Sequence, residues 1–317
     1  LTLPADKKRF APIVYVLLLL IPPSSLHSAG WGATTLNYLW PLAAIMPSAV
    51  IIKKLLSSEH FSKFFSVISI ALAVFATNQE QLAALVLGLA IVFLCYRIAI
   101  NRCFKKEDSY FIILLLITLA QLIYMLTCPG NQTRYIQEIN TWFPEYSTLH
   151  FVDKLQLGIL TIQSYYFSKF FNILIFPLCI VLTVIHHKKN HKFFISQLIA
   201  DGIIVLIRFF RLIHFLFDNI KLAQFSEYSA FAVGFECAVF IMLGIFLLLS
   251  IYKASGSTID SLLNVLLVFS GYCSAFILAF SPTVYASGSR CYLFLTIMIL
   301  IVTMRLTQSI LNGKCAE

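Results

Sequence analysis

A chain of 317 residues that is 60% apolar and 12% charged, with a mean hydropathy of +0.88, cannot clothe a soluble domain in a solvated surface. Its formal net charge of +9 would suit an anionic partner. A nucleic-acid-binding face, however, needs its cations gathered on one soluble surface, whereas here they lie in short segments between apolar runs, which points to anionic lipid.

Crossing a bilayer takes about 20 largely apolar residues folded as helix, because every backbone polar group in hydrocarbon must be paired locally. Runs of this kind lie near residues 10–25, 38–52, 62–77, 81–100, 109–127, 169–186, 193–213, 228–252, 260–281 and 291–311. They predict an all-α, polytopic membrane bundle of about ten spans. The first run is followed by Pro22, Pro23 and polar residues, and reads as a retained helix. With the N-terminus inside, only Arg134, Lys154, Lys169, Arg208, Arg211, Lys221 and Arg290 of the 23 basic residues fall on the outer side, which predicts that both termini are cytoplasmic. No repeat or low-complexity linker divides the chain, so residues 1–317 read as one transmembrane domain.

The outer connections carry the chemistry. The first, through His27, Trp31, Asn37, Tyr38 and Trp40, interleaves aromatic faces with an amide and an imidazole around Gly30 and Gly32. Apolar CH faces and hydroxyls of a sugar would be met by such a set, although Trp31, Tyr38 and Trp40 equally suit an interfacial belt. The second, Asn78–Gln79–Glu80–Gln81, sets one carboxylate among amides in a very short turn. Glu80 held there at a dry site could act as a general base or ligate a divalent ion; in a solvated turn it would only cap a helix.

The one long non-spanning segment, residues 128–168, opens with CPGNQTR from Cys128 to Arg134. Pro129, Gly130 and Asn131 predict a turn at a helix end that exposes backbone N–H groups, and Arg134 supplies a planar cation suited to phosphate. The remainder reads as a loop followed by an amphipathic interfacial helix, with Trp142, Phe143, Tyr165 and Tyr166 at headgroup depth. Arg134 could also snorkel to lipid phosphates. A last outer segment, SPTVYASGSR from Ser281 to Arg290, joins two spans with hydroxyls, Tyr285, Gly288 and a second outer arginine.

Two further features stand apart. Asp201 and Glu236 are carboxylates inside spans, where a charge demands a partner or a wet cavity, and Arg208, Arg211 and His214 crowd one span end. Pairing of these acids with cations inside the bundle would suit a proton-coupled transporter. The eight cysteines show no metal-ligand spacing; Cys128 and Cys291 alone sit at outer helix ends, where they could pair or pack as free thiols.

The sequences GWGATTLNYLWP (30–41), NQEQ (78–81), CPGNQTR (128–134) and SPTVYASGSR (281–290), with the multi-span organisation, resemble bacterial GT-C-type membrane glycosyltransferases, in particular the O-antigen glucosyltransferases and their relatives. The resemblance runs through most of the chain by way of its loops. It implies transfer of a sugar from a polyprenyl-phosphate donor to a cell-envelope glycan, such as lipopolysaccharide O-antigen, at the periplasmic face of the inner membrane. Inversion at the anomeric carbon then requires a base. On this reading Glu80 is the base, Arg134 and Arg290 neutralise the donor phosphate, and Asn131 and Tyr285 orient it. His27, Trp31, Asn37 and Gln79 would contact sugar. GT-C enzymes commonly carry a catalytic acid in the first outer loop, and residues 26–41 contain none, so either a further helix and acidic loop precede Leu1 or Glu80 has taken the role. No cofactor is demanded, and a divalent metal would enter only beside Glu80. A flippase or transporter for polyprenyl-linked glycan is the competing class, and it predicts polar motifs mirrored on the inner side. An O-antigen polymerase shares compartment and substrate but expects a larger, Arg-paired outer loop.

Overall fold

The computed structural model describes residues 7–23, 32–167, 169–189, 191–212, 230–284 and 286–312. Among these the secondary structure is helical, with no strand. Each of the ten apolar runs falls on a helix: α1 (Lys7–Leu19), α2 (Trp40–Leu56), α3 (Lys63–Ala76), α4 (Glu80–Asn101), α5 (Ser109–Thr127), then, after two intervening helices, α8 (Lys169–Lys189), α9 (His191–Leu212), α10 (Ala230–Ala254), α11 (Thr258–Phe276) and α12 (Leu293–Leu311). Within or around these, six helical segments are long and apolar enough to cross a membrane: Thr35–Leu56, Glu80–Asn101, Lys106–Thr127, Phe231–Ala254, Thr258–Phe280 and Ser289–Leu311. The apolar part of α1, Phe10–Leu19, and all of α3 are shorter than that. At about 1.5 Å per residue, a 14-residue helix such as α3 covers roughly 21 Å of a hydrocarbon core about 30 Å thick.

Residues 128–168 hold two intervening helices, the first of them where a loop was expected. They are α6 (Pro129–Trp142) and α7 (Phe151–Tyr166), joined by a helical turn over Pro144–Thr148. Cys128 takes an extended conformation (φ −63°, ψ 120°), which ends α5, and Pro129 at once begins α6. Proline suits a first helical position because its missing N–H would have no intrahelical partner there. α6 buries none of its residues, whereas α7 buries Leu157, Gly158, Leu160, Thr161 and Ile162. Gly158 lets the Phe276 ring and Ala279 approach so closely that an added Cβ would lie 2.7 Å from the Ala279 Cβ.

Packing divides the chain into two compact units, one of residues 26–141 and the other of residues 1–25 and 142–317. In the first, α2 packs on α3 and α4 on α5, with α5 also against α3. Ser48, Ser69 and Tyr110 from α2, α3 and α5 close a buried ring of hydroxyls, with oxygens 2.9, 2.6 and 2.9 Å apart. Arg97 of α4 donates from Nε to Asp108 at 2.5 Å and from its guanidinium to the Leu55 carbonyl, so one buried cation ties α2, α4 and the turn before α5. In the second unit, α12 packs against α1, α8 and α11, α8 against α9, and α10 against α7 and α11. Arg305 of α12 donates to Asn264 (2.6 Å) and Asp260 (2.7 Å) of α11.

Candidate functional site

In the second unit, the connection between α11 and α12 is the most structured of the segments singled out in the sequence. After the helical turn Ile277–Phe280, Ser281 Oγ and Thr283 Oγ1 share a hydrogen bond of 2.8 Å, and Ser287 Oγ donates to Thr283 Oγ1 at 2.9 Å. The amides of Ala286 and Ser287 both bond the Thr283 carbonyl, at 2.9 and 2.8 Å. Gly288 then reverses the chain with φ 65° and ψ −167°, a region that side chains essentially exclude. The turn Ser289–Tyr292 follows and carries Arg290, whose side chain is half-buried and makes no ion pair or hydrogen bond among the described residues.

Arg290 is held by rigid neighbours. The Tyr292 ring stacks on Tyr165 of α7 with centroids 3.9 Å apart and planes 8° from parallel, and its hydroxyl donates to the Thr161 carbonyl at 3.4 Å. Buried Tyr146 donates to the Ala279 carbonyl at 2.8 Å, and Lys154 Nζ lies 4.5 Å from the Tyr146 ring centroid. A half-buried guanidinium two residues before a stacked tyrosine, on a hydroxyl-rich turn, is a group suited to an anionic oxygen.

The other candidate residues are placed differently. Glu80 opens α4 and is exposed; Gln79 is its N-cap, accepting from the Leu82 amide at 2.6 Å and donating to Gln81 at 3.3 Å. The dry setting expected for Glu80 is therefore absent, and the capping role falls to Gln79. Arg134 sits on α6 with 71% of its side chain exposed and pairs with Glu138, one turn on, at 2.6 Å. Asn131 donates to the Met125 carbonyl at 2.9 Å and so staples α6 to the end of α5. The turn predicted from Pro129–Asn131 is present, the Asn131 amide bonding the Cys128 carbonyl at 3.0 Å, and it leads directly into α6. Asn37 is exposed on the helical turn Thr35–Leu39 that leads into α2. No hydrogen bond or ion pair joins Glu80, Asn131 and Arg134 to one another. His27, Trp31 and Tyr285 lie outside the described residues, as does His214. Among the described residues Cys128 is a free thiol, and the Cys291 thiol donates to the Ser287 carbonyl at 3.9 Å. Among the described residues no group of three His, Cys, Asp or Glu side chains could hold a metal ion.

A second polar constellation was only half visible in the sequence. Asp201 does not meet a cation. It accepts from Thr183 Oγ1 and Gln197 Nε2, both at 2.8 Å; Gln197 Oε1 accepts from Ser250 at 2.5 Å, and Ser250 in turn lies 2.9 Å from His186 Nε2. The four-residue spacing of Gln197 and Asp201 on α9 was a readable signal for one link; those to α8 and α10 are tertiary.

The helical, apolar architecture makes this a polytopic membrane protein of the α-helical class. Comparison of the chain with protein-family models, with characterised proteins and with solved folds finds no match.

Proposed function

We propose that the protein is an integral membrane glycosyltransferase with ten spanning helices and both termini in the cytoplasm. It transfers a sugar from a polyprenyl-phosphate donor to a cell-envelope glycan, of the O-antigen kind, at the outer face of a bacterial inner membrane. The observation that carries this reading is Arg290: a half-buried guanidinium without an ion pair among the described residues, on a turn rich in hydroxyls and braced by the Tyr165–Tyr292 stack. A cation so placed costs desolvation energy that a bound phosphate would return.

In the reaction, the bond between the anomeric carbon and the phosphate oxygen breaks as an acceptor hydroxyl oxygen bonds to that carbon from the opposite side. The electron pair leaves on polyprenyl phosphate, where Arg290, with Arg134 as an accessory cation, stabilises the growing charge. Glu80 takes the hydroxyl proton, its carboxylate being dry only while a bound acceptor covers it. Asn131 and Tyr285 orient the phosphate, and His27, Trp31, Asn37 and Gln79 contact sugar.

The test is transfer of radiolabelled sugar from a synthetic polyprenyl-phosphate donor to envelope glycan by the purified protein in vesicles. Label appearing in glycan with equimolar release of polyprenyl phosphate supports the reading, as does its loss in Arg290→Gln. Label crossing the bilayer still attached to polyprenyl phosphate would replace it with a flippase, and joining of preassembled repeat units with a polymerase.

A further inference from the structure

Inside the second unit, two neutral donors converge on one carboxylate. Thr183 Oγ1 and Gln197 Nε2 donate to its two oxygens, and Cys179 of α8 lines the cavity beside it. The titratable groups around it are Cys179 and His186 on α8, Tyr166 on α7 and Tyr272 on α11. α10 turns only Ser250 and apolar side chains toward it. Arg208, two turns along α9, is engaged with the Phe167 carbonyl at 2.5 Å, and Lys189, beyond His186, donates to the Ala254 carbonyl. Among the described residues Asp201 has no salt bridge, so its charge is held by dipoles alone. A cavity of about 20 Å³ beside it, lined also by Tyr166, Phe240 and Tyr272, has room for one water molecule.

The polarity of the chain of bonds is determined at each link. Ser250 has one proton and gives it to Gln197 Oε1, so His186 must donate from Nε2 to Ser250. His186, Gln197 and Ser250 are all buried, so each depends on its neighbours in the row for its hydrogen bonds. When Asp201 binds a proton it becomes a donor, and the whole row can reverse. The Gln197 amide flips to accept from the carboxyl, its nitrogen donates to Ser250, and Ser250 donates to His186 Nε2, which then requires the ring proton on Nδ1.

We propose that Asp201 is a proton-binding site within the bundle, and that its charge state is relayed through Gln197 and Ser250 to the tautomer of His186. One proton enters at the carboxyl; the imidazole stays neutral and exchanges the position of its own proton. The site uses none of the residues assigned to glycosyl transfer, so it stands or falls independently of that reading.

The experiment uses the full chain in lipid nanodiscs. Infrared difference spectra across the pH range in which the protein stays folded report carboxyl protonation, and ¹⁵N-histidine spectra, with His186→Gln as the assignment control, report the tautomer. The expected result is a protonated-carboxyl band that disappears in Asp201→Asn, with His186 changing from the Nε2–H to the Nδ1–H form over the same pH interval. In Gln197→Met the band persists while the tautomer no longer responds. A band unchanged in Asp201→Asn, no such band in the wild type, or a His186 tautomer that is constant in the wild type or still responds in Gln197→Met would overturn the proposal. Should Asp201→Asn fail to fold, Thr183→Val decides: removing one donor to the charged form should raise proton affinity about tenfold, and an unmoved onset refutes it.

Discussion

Arg97→Met should be among the most damaging single substitutions in the first unit. The Arg97 side chain is 7% exposed and that of Asp108 is 0% exposed, with Nε and Oδ1 2.5 Å apart. Removing the cation leaves a fully buried carboxylate with one remaining bond from the Lys105 amide, and strips the Leu55 carbonyl of its guanidinium donor. Breaking a buried pair on one side costs about 3–5 kcal/mol, because an uncompensated charge stays behind. Replacing both partners, in Arg97→Met with Asp108→Leu, removes that charge and should recover a large part of the loss. The Lys105 amide would lose its partner, at about 1 kcal/mol, while the Leu55 carbonyl keeps the Ser58 amide at 3.2 Å. Unfolding of the purified protein in mixed micelles, read by circular dichroism for the two single variants and the double, closes the cycle. A coupling of at least about 1.5 kcal/mol is expected. Additive single losses, or a loss below about 1 kcal/mol for Arg97→Met, would refute the view that this pair joins α2, α4 and α5.

Gly288→Ala should cost about 1–3 kcal/mol locally, since its backbone lies where a Cβ is strained, and sugar transfer should fall with it as the Arg290 turn is displaced. Gly158→Ala gains about 1 kcal/mol of helix propensity but forces its Cβ against Ala279, which cannot retreat while Tyr146 bonds its carbonyl; a net loss of about 1–2 kcal/mol in thermal unfolding is expected. Gly88→Ala on α4 meets nothing within 4 Å and should be neutral or stabilising by up to about 1 kcal/mol in the same assay. Tyr110→Phe removes one member of the buried hydroxyl ring and should lower stability by about 1–2 kcal/mol, with Ser69→Ala in that background costing less than it does alone.

The helices were legible because lipid leaves a sequence little freedom: each apolar run that could satisfy its own backbone is found as helix, Thr35–Leu56 and Glu80–Asn101 within a few residues of the expected ends. Punctuation was less legible. Pro129 ends α5 as expected, yet the same residue starts α6, because proline is disfavoured within a helix and favoured at its first position. The amphipathic stretch before Ser168 was legible as a helix, and in α7 its charges Asp153 and Lys154 occupy the first turn while Leu157, Gly158, Leu160, Thr161 and Ile162 are buried. Among site residues, Arg290 and Gly288 could be read from composition and turn chemistry. The partners of Asp201 could not, since Thr183 and Ser250 are separated from it in sequence and meet it or Gln197 only through the packing of α8, α9 and α10. Arg97 and Asp108, eleven positions apart across a helix end, carried no pairing signal of their own.

Native mass spectrometry of the detergent-solubilised protein with polyprenyl phosphate and with the uncharged polyprenol reads whether Arg290 binds the donor phosphate. Selective retention of the phosphate is expected, with roughly ten- to hundredfold weaker retention in Arg290→Gln, the value of one or two charge-assisted hydrogen bonds. Arg134→Gln, whose side chain is already engaged by Glu138, should lose less. Equal retention of phosphate and alcohol, or an Arg290→Gln variant that binds as the wild type does, would contradict such binding.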